Sequence, residues 1–139
     1  MAALTPTVPD KVEIRALAKT ALAWKLDTSG LPTVEDALSI TERFTGYGRT
    51  IANDLCIQCL SLPADSGAAR SAQVTLGEAS RRLYLDPLAG TASPWAAAHR
   101  AQNLARLVTS LLRAAGAVSE ELVRITRQQS QGATMKGTQ

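Results

Sequence analysis

The sequence predicts an all-α fold: an up-down antiparallel four-helix bundle, with a short fifth C-terminal helix as an addition. Three observations lead there. Apolar residues recur at steps of three and four along most of the 139-residue chain. Capping residues and prolines punctuate that pattern at four places. No segment alternates polar and apolar side chains as a half-buried strand would.

The first helix starts at Asp10, which stands at capping-box spacing from Glu13, and carries Ile14, Leu17, Ala18, Ala21 and Leu22 on one side. It is expected to end near Leu26, where Asp27-Thr-Ser-Gly30 supplies turn residues. Pro32 and the capping Thr33 introduce the second helix. Its apolar series Val34, Leu38, Thr41, Phe44, Gly48, Ile51, Leu55, Cys59 and Leu62 spans about eight turns at the helical repeat. Pro63 stops it, because a proline disfavours helical geometry at the residue before it. A third helix starts near Ser66, buries Ala69, Ala72, Leu76, Ala79 and Leu83, and ends before Asp86-Pro87, with a loop through Gly90. Ser93-Pro94 opens the fourth, since serine caps and proline suits the first helical position. Its stripe is Ala98, Ala101, Leu104, Ala105, Val108, Leu111, Leu112 and Ala115, and Gly116 is the expected stop. Residues 1–118 are therefore expected to form one helical domain, and 119–139 a short helix opened by Ser119 followed by a frayed polar tail.

Composition narrows the class. Apolar residues make up 45% of the chain, enough for a globular core without disulfide or metal. No run approaches the roughly 18 apolar residues of a membrane span, and the N-terminus lacks an apolar signal core, so a cytoplasmic protein is expected. The net charge of +3 is unevenly placed: residues 27–62 hold five acids and two bases, whereas 94–118 hold Arg100, Arg106 and Arg113 and no acid. An acidic and a basic helix attract if they are adjacent. Three arginines in 25 residues make too sparse a stripe for a nucleic-acid face, and no tight helix-turn-helix is evident. Alanine-rich stripes, together with Gly46, Gly48 and Gly77 inside helical patterns, point to close helix approach and a core without a roomy cavity. Each interior glycine costs about 1 kcal/mol against alanine, so close packing is the preferred explanation over mere tolerance on a solvent face.

Candidate chemistry is thin. Cys56-Ile-Gln-Cys59 supplies two thiols where zinc usually takes four ligands, and a redox pair belongs at a helix start after a strand. Late in a long helix, the pair is expected to pack in the core, with redox or metal roles as alternatives. His99, the single histidine, aligns with Asn103, Arg106, Ser110 and Arg113 and reads as a solvated residue among cations. Glu35, Asp36, Glu42 and Asp54 form no tight row for a di-metal site. No phosphate-binding glycine loop, nucleophile elbow or zinc-protease motif occurs. Glu78 and Arg82 form an i,i+4 surface pair; alternatively Arg81 or Arg82 reaches Asp54 or Glu42, or an anionic partner. Trp24 and Trp95, each near a helix end, are expected as lids on the core, with a partner-anchoring role as the alternative.

Three segments carry a resemblance: Leu31-Pro-Thr-Val-Glu-Asp-Ala-Leu38 leading to Phe44-Thr-Gly46, Leu76-Gly-Glu-Ala-Ser-Arg-Arg-Leu83, and Asn103-Leu-Ala-Arg-Leu107. Over roughly residues 10–116 the chain resembles a family of small helical proteins of unknown function, encoded among natural-product biosynthesis genes of high-GC Gram-positive bacteria. It departs from that pattern at Tyr47, where a histidine is expected, and near Asn53, where a proline is. The resemblance implies a biosynthetic setting and no catalytic residues.

The expected function is that of a helical accessory protein that presents helix faces to a protein partner or to a second copy, with no catalysis, cofactor, metal, nucleic acid or membrane involved. The alternative is a small-molecule-binding bundle, even a cofactor-independent enzyme acting on an apolar intermediate. In that case Arg81, Arg82, Arg106 and Arg113 are the candidate binding residues, meeting an anionic group.

Overall fold

The computed structural model describes residues 10–27, 30–89 and 91–137, with side chains up to residue 131. The expected turn residues at 28 and 29, the loop position Gly90 and the last two tail residues lie outside the described residues. Among the described residues all regular structure is helical: α1 (Lys11–Leu22), α2 (Val34–Cys59), α3 (Gly67–Arg82) and α4 (Pro94–Gly137).

Each start follows from a side-chain cap that satisfies a first-turn amide lacking an intrahelical partner. Asp10 accepts from the Val12 amide, Thr33 from Asp36, Ser66 from Ala69 and Ser93 from Ala96. Glu13 reaches across to Arg43 of α2 at 2.9 Å and does not close a box on its own helix.

All four ends differ from expectation. α2 stops at Cys59, short of Leu62, as the amides of Leu60, Ser61 and Leu62 turn to carbonyls three residues back, and α3 stops at Arg82, short of Leu83. The first helix stops at Leu22, four residues early, and α4 holds the turn that follows it. Gln102, only 4% exposed, donates both amide hydrogens of Nε2, one to the Ala21 carbonyl at 2.9 Å and one to that of Trp24 at 3.0 Å. Gly116 does not end the fourth helix, and no separate fifth helix forms: α4 is continuous from Pro94 to Gly137. No described glycine has positive φ, so Gly116 cannot act as the left-handed stop that glycine commonly supplies. Burial carries the helix through it. Val118 is fully buried, and Leu122 and Ile125 pack on the same core. With the usual rise of 1.5 Å per residue, α4 is about 66 Å long and α2 about 39 Å.

α4 is the organising element. It packs against all three other helices, most extensively α2, while α1 and α3 do not pack on each other. The acidic second helix and the arginine-bearing fourth are thus neighbours, as their charges favour, although no ion pair links them among the described residues. Phe44, Ile14, Leu55, Leu83, Leu111, Val108 and Val118 are the largest fully buried side chains and cluster with Ala18, Ala21, Ala72, Ala79 and Ala105; Ala97 and Ala101 are buried as well. Of the three glycines expected to admit a neighbour, only Gly48 does: a Cβ there would lie 2.7 Å from Leu83 Cδ2. Gly46 and Gly77 face open space, so close approach does not account for them.

Candidate functional site

A surface groove with aromatic and arginine side chains forms where α3 ends and α4 begins. α3 stops at Arg82, and Leu83 turns inward under Gly48. Its carbonyl is taken by Arg49 of α2, whose Nε and Nη2 donate at 3.1 and 2.7 Å, and whose guanidinium lies 4.5 Å from the Tyr84 ring centre. This clamp anchors one end of the 83–93 connection. Arg100 of α4 holds its middle, donating from Nη1 to the Asp86 carbonyl at 2.5 Å. Loops expose backbone acceptors that need partners, and two arginines supply them here.

Between this connection and α4 lies a surface groove of about 370 Å³. Leu85 and Leu88 of the connection form one wall, and Trp95, Ala96, His99 and Leu104 of α4 the other. Trp95 and His99, one turn apart, stack with ring centres 4.7 Å apart and planes within 9°. Trp95 nevertheless stays 49% exposed, Leu85 of the opposite wall is exposed as well, and so is Tyr84, which precedes Leu85 and meets Arg49. Arg82, Arg100 and Asn103 complete the lining. Arg82 is held through Nε by Glu78 at 3.2 Å, and the Asn103 Oδ1 accepts from Arg106 Nη1 at 3.2 Å. The polar lining therefore offers mainly donors, and no carboxylate side chain contributes to it.

The arginines singled out from the sequence do not converge. Arg82 alone lines the groove. Arg81 pairs with Glu78 at 3.0 Å on the helix surface, beside the Glu78–Arg82 pair expected from the spacing. Arg106 is an exposed neighbour that orients Asn103, and Arg113 is exposed further along α4. Neither Arg81 nor Arg82 reaches Asp54 or Glu42 among the described residues. Trp24 covers the core as expected, whereas Trp95 does not: it stands outside with His99, which is half-buried against it and not simply solvated. The cysteines divide, Cys59 being buried and Cys56 exposed. Burial, with the neighbouring Cys56 adding to it, pushes the Cys59 thiol above its ordinary value.

Sequence reasoning missed Arg49, Arg100 and Gln102 as fold-closing donors. Their partners are backbone carbonyls 34, 14 and about 80 residues away, which no side-chain pattern reveals. The Trp95–His99 pair did leave a signal, the i,i+4 spacing that places two rings on one face.

Among the described residues, no group of three or more His, Cys, Asp or Glu side chains gathers as a metal site would. Among the described residues no helix is long and apolar enough to cross a membrane either. The chain belongs to DUF6415, a family of unknown function, whose model matches residues 12–120. No curated protein and no solved structure matches it.

Proposed function

We propose that this member of DUF6415 is a non-catalytic accessory protein that docks a protein partner through the end of the molecule where α3 meets α4. One observation carries the reading: Leu85 and Trp95 stand exposed on one groove with Arg82 and Arg100, and Tyr84, next to Leu85 in the chain, is exposed over Arg49. Tryptophan, tyrosine and arginine are the side chains that dominate binding energy at protein interfaces. A tight core of alanines with Gly48 against Leu83 supports it too, because the interior is built for packing. On this reading residues 1–118 are the working domain, with the four helices running up and down in turn, as short connections favour. The protein works in the cytoplasm beside natural-product biosynthesis enzymes, the setting implied by the resemblance of the three segments above. Size-exclusion chromatography with light scattering and a pull-down from the native host test the docking. The expected result is a complex or dimer that Trp95→Ala together with Leu85→Ala abolishes. A strict monomer that captures nothing and turns over a pathway intermediate overturns it.

A second reading, a small-molecule binder, is favoured by the groove itself. Its volume lies at the lower end of the range for ligand sites, roughly 300–1,000 Å³, and it combines apolar walls with a few polar groups.

A further inference from the structure

We propose that the groove between the 83–93 connection and the start of α4 binds a small organic anion with a flat aromatic body, of the aryl carboxylate class. This rests on the second reading above. Three features select that chemistry. The first is the stacked pair Trp95 and His99, a planar surface of which half the indole remains exposed. A flat ring extends such a stack in offset geometry, and Leu85 and Leu88 close on it from the other wall.

The second is the donor balance. A guanidinium has five N–H donors. Arg82 meets Glu78 as an ion pair at 3.2 Å, and Arg100 uses Nη1 on the Asp86 carbonyl, which leaves donors on each. The Asn103 amide has its oxygen engaged by Arg106, which leaves its NH₂ to donate. A ligand meeting these groups is offered hydrogens and must supply acceptors. A carboxylate does so with the strength of charge-assisted bonds.

The third is preorganisation. Arg82 and Arg100 are each tethered from behind, by Glu78 and by the Asp86 carbonyl, so less side-chain freedom is lost when the anion arrives. Neither tether lies across the groove as a competing carboxylate would.

The test uses the full chain and 2-naphthoate as probe, with 2-naphthylmethanol (ring without charge) and acetate (charge without ring) as comparison arms. Binding is followed by the NMR signals of the two tryptophan indoles and the His99 ring. The expected result is saturable movement of the Trp95 and His99 signals by 2-naphthoate with Trp24 unmoved, and at least tenfold weaker binding of both comparison compounds. Arg82→Gln and Arg100→Gln each weaken 2-naphthoate about tenfold, while 2-naphthylmethanol is unaffected by either. Trp95→Ala weakens both ring compounds, and circular dichroism of every variant matches the parent. Equal binding of 2-naphthoate and 2-naphthylmethanol at Trp95 overturns the anion class and leaves the groove a ligand site. No movement of Trp95 by either compound at millimolar concentration overturns the proposal and the ligand-site reading together.

Discussion

Trp95 and Ala97 stand two residues apart on α4 and have opposite fates. Ala97 is fully buried with Ala98, Ala101 and Ala105 against the neighbouring helices, and the larger indole is left half in solvent. The same helix thus presents a close-packed face built from small side chains and a groove face built from large ones. Where the Leu83 side chain packs on the bare backbone of Gly48, there is no room even for a Cβ. Phe44 is fully buried and Trp24 packs on the core, whereas Tyr84 and Trp95 stay exposed, which is the physical reason to look for function outside the core.

Substitutions can break or sharpen that contrast. The widest gap is expected between Phe44→Ala, which empties a fully buried site and costs about 3–5 kcal/mol, and Trp95→Ala, within about 0.5 kcal/mol of the parent. Urea denaturation measures both. A comparable cost at the two positions would mean that the indole belongs to the core after all. Next comes Gln102→Leu, which keeps the volume but takes the Gln102 donor from the Trp24 carbonyl and leaves that of Ala21 only the Trp24 amide. About 1–3 kcal/mol of stability is expected to go, accompanied by faster amide exchange at the end of α1.

The glycines separate in the same way. Gly48→Val drives methyl groups into Leu83 and is expected to cost about 1–3 kcal/mol, whereas Gly116→Ala, with open space around it, gains up to about 1 kcal/mol. Were Gly116 a left-handed helix stop, alanine there would destabilise instead, so thermal unfolding of that variant also checks the continuity of α4.

The smallest effect is chemical. Iodoacetamide labelling followed by mass spectrometry is expected to modify exposed Cys56 well before buried Cys59. Burial raises the Cys59 thiol in the folded state, so the stabilisation this gives is present at neutral pH and is lost as pH rises through the raised folded value. The lag of Cys59 therefore shrinks at high pH.

Much of this fold was legible in the residue pattern, because helix starts and buried stripes are local properties. All four capping residues act as their positions imply, and from Phe44 to Cys59 the second helix buries the side chains its periodicity selects. One local signal was misweighted. Ala97, Ala101, Leu104, Val108, Leu111, Ala115, Val118, Leu122 and Ile125 step by four and three without a break, and that repeat runs straight through Gly116. A glycine ends a helix when the chain needs left-handed geometry, and continued burial at Val118 removes the need. The candidate site was less legible. Of four arginines chosen for charge, one lines the groove, since charge along a helix does not say which surface the neighbouring loop will cover.

What the chain alone determined was its helical class, the four start points and the small-residue faces, all consequences of spacing and capping within a few residues. The tertiary structure decided where α1 stops, how far α4 runs, and that Trp95, His99, Arg82 and Arg100 share one groove. Those outcomes depend on groups meeting across tens of residues, where a backbone carbonyl or a loop wall is the partner and leaves no periodic trace in the sequence.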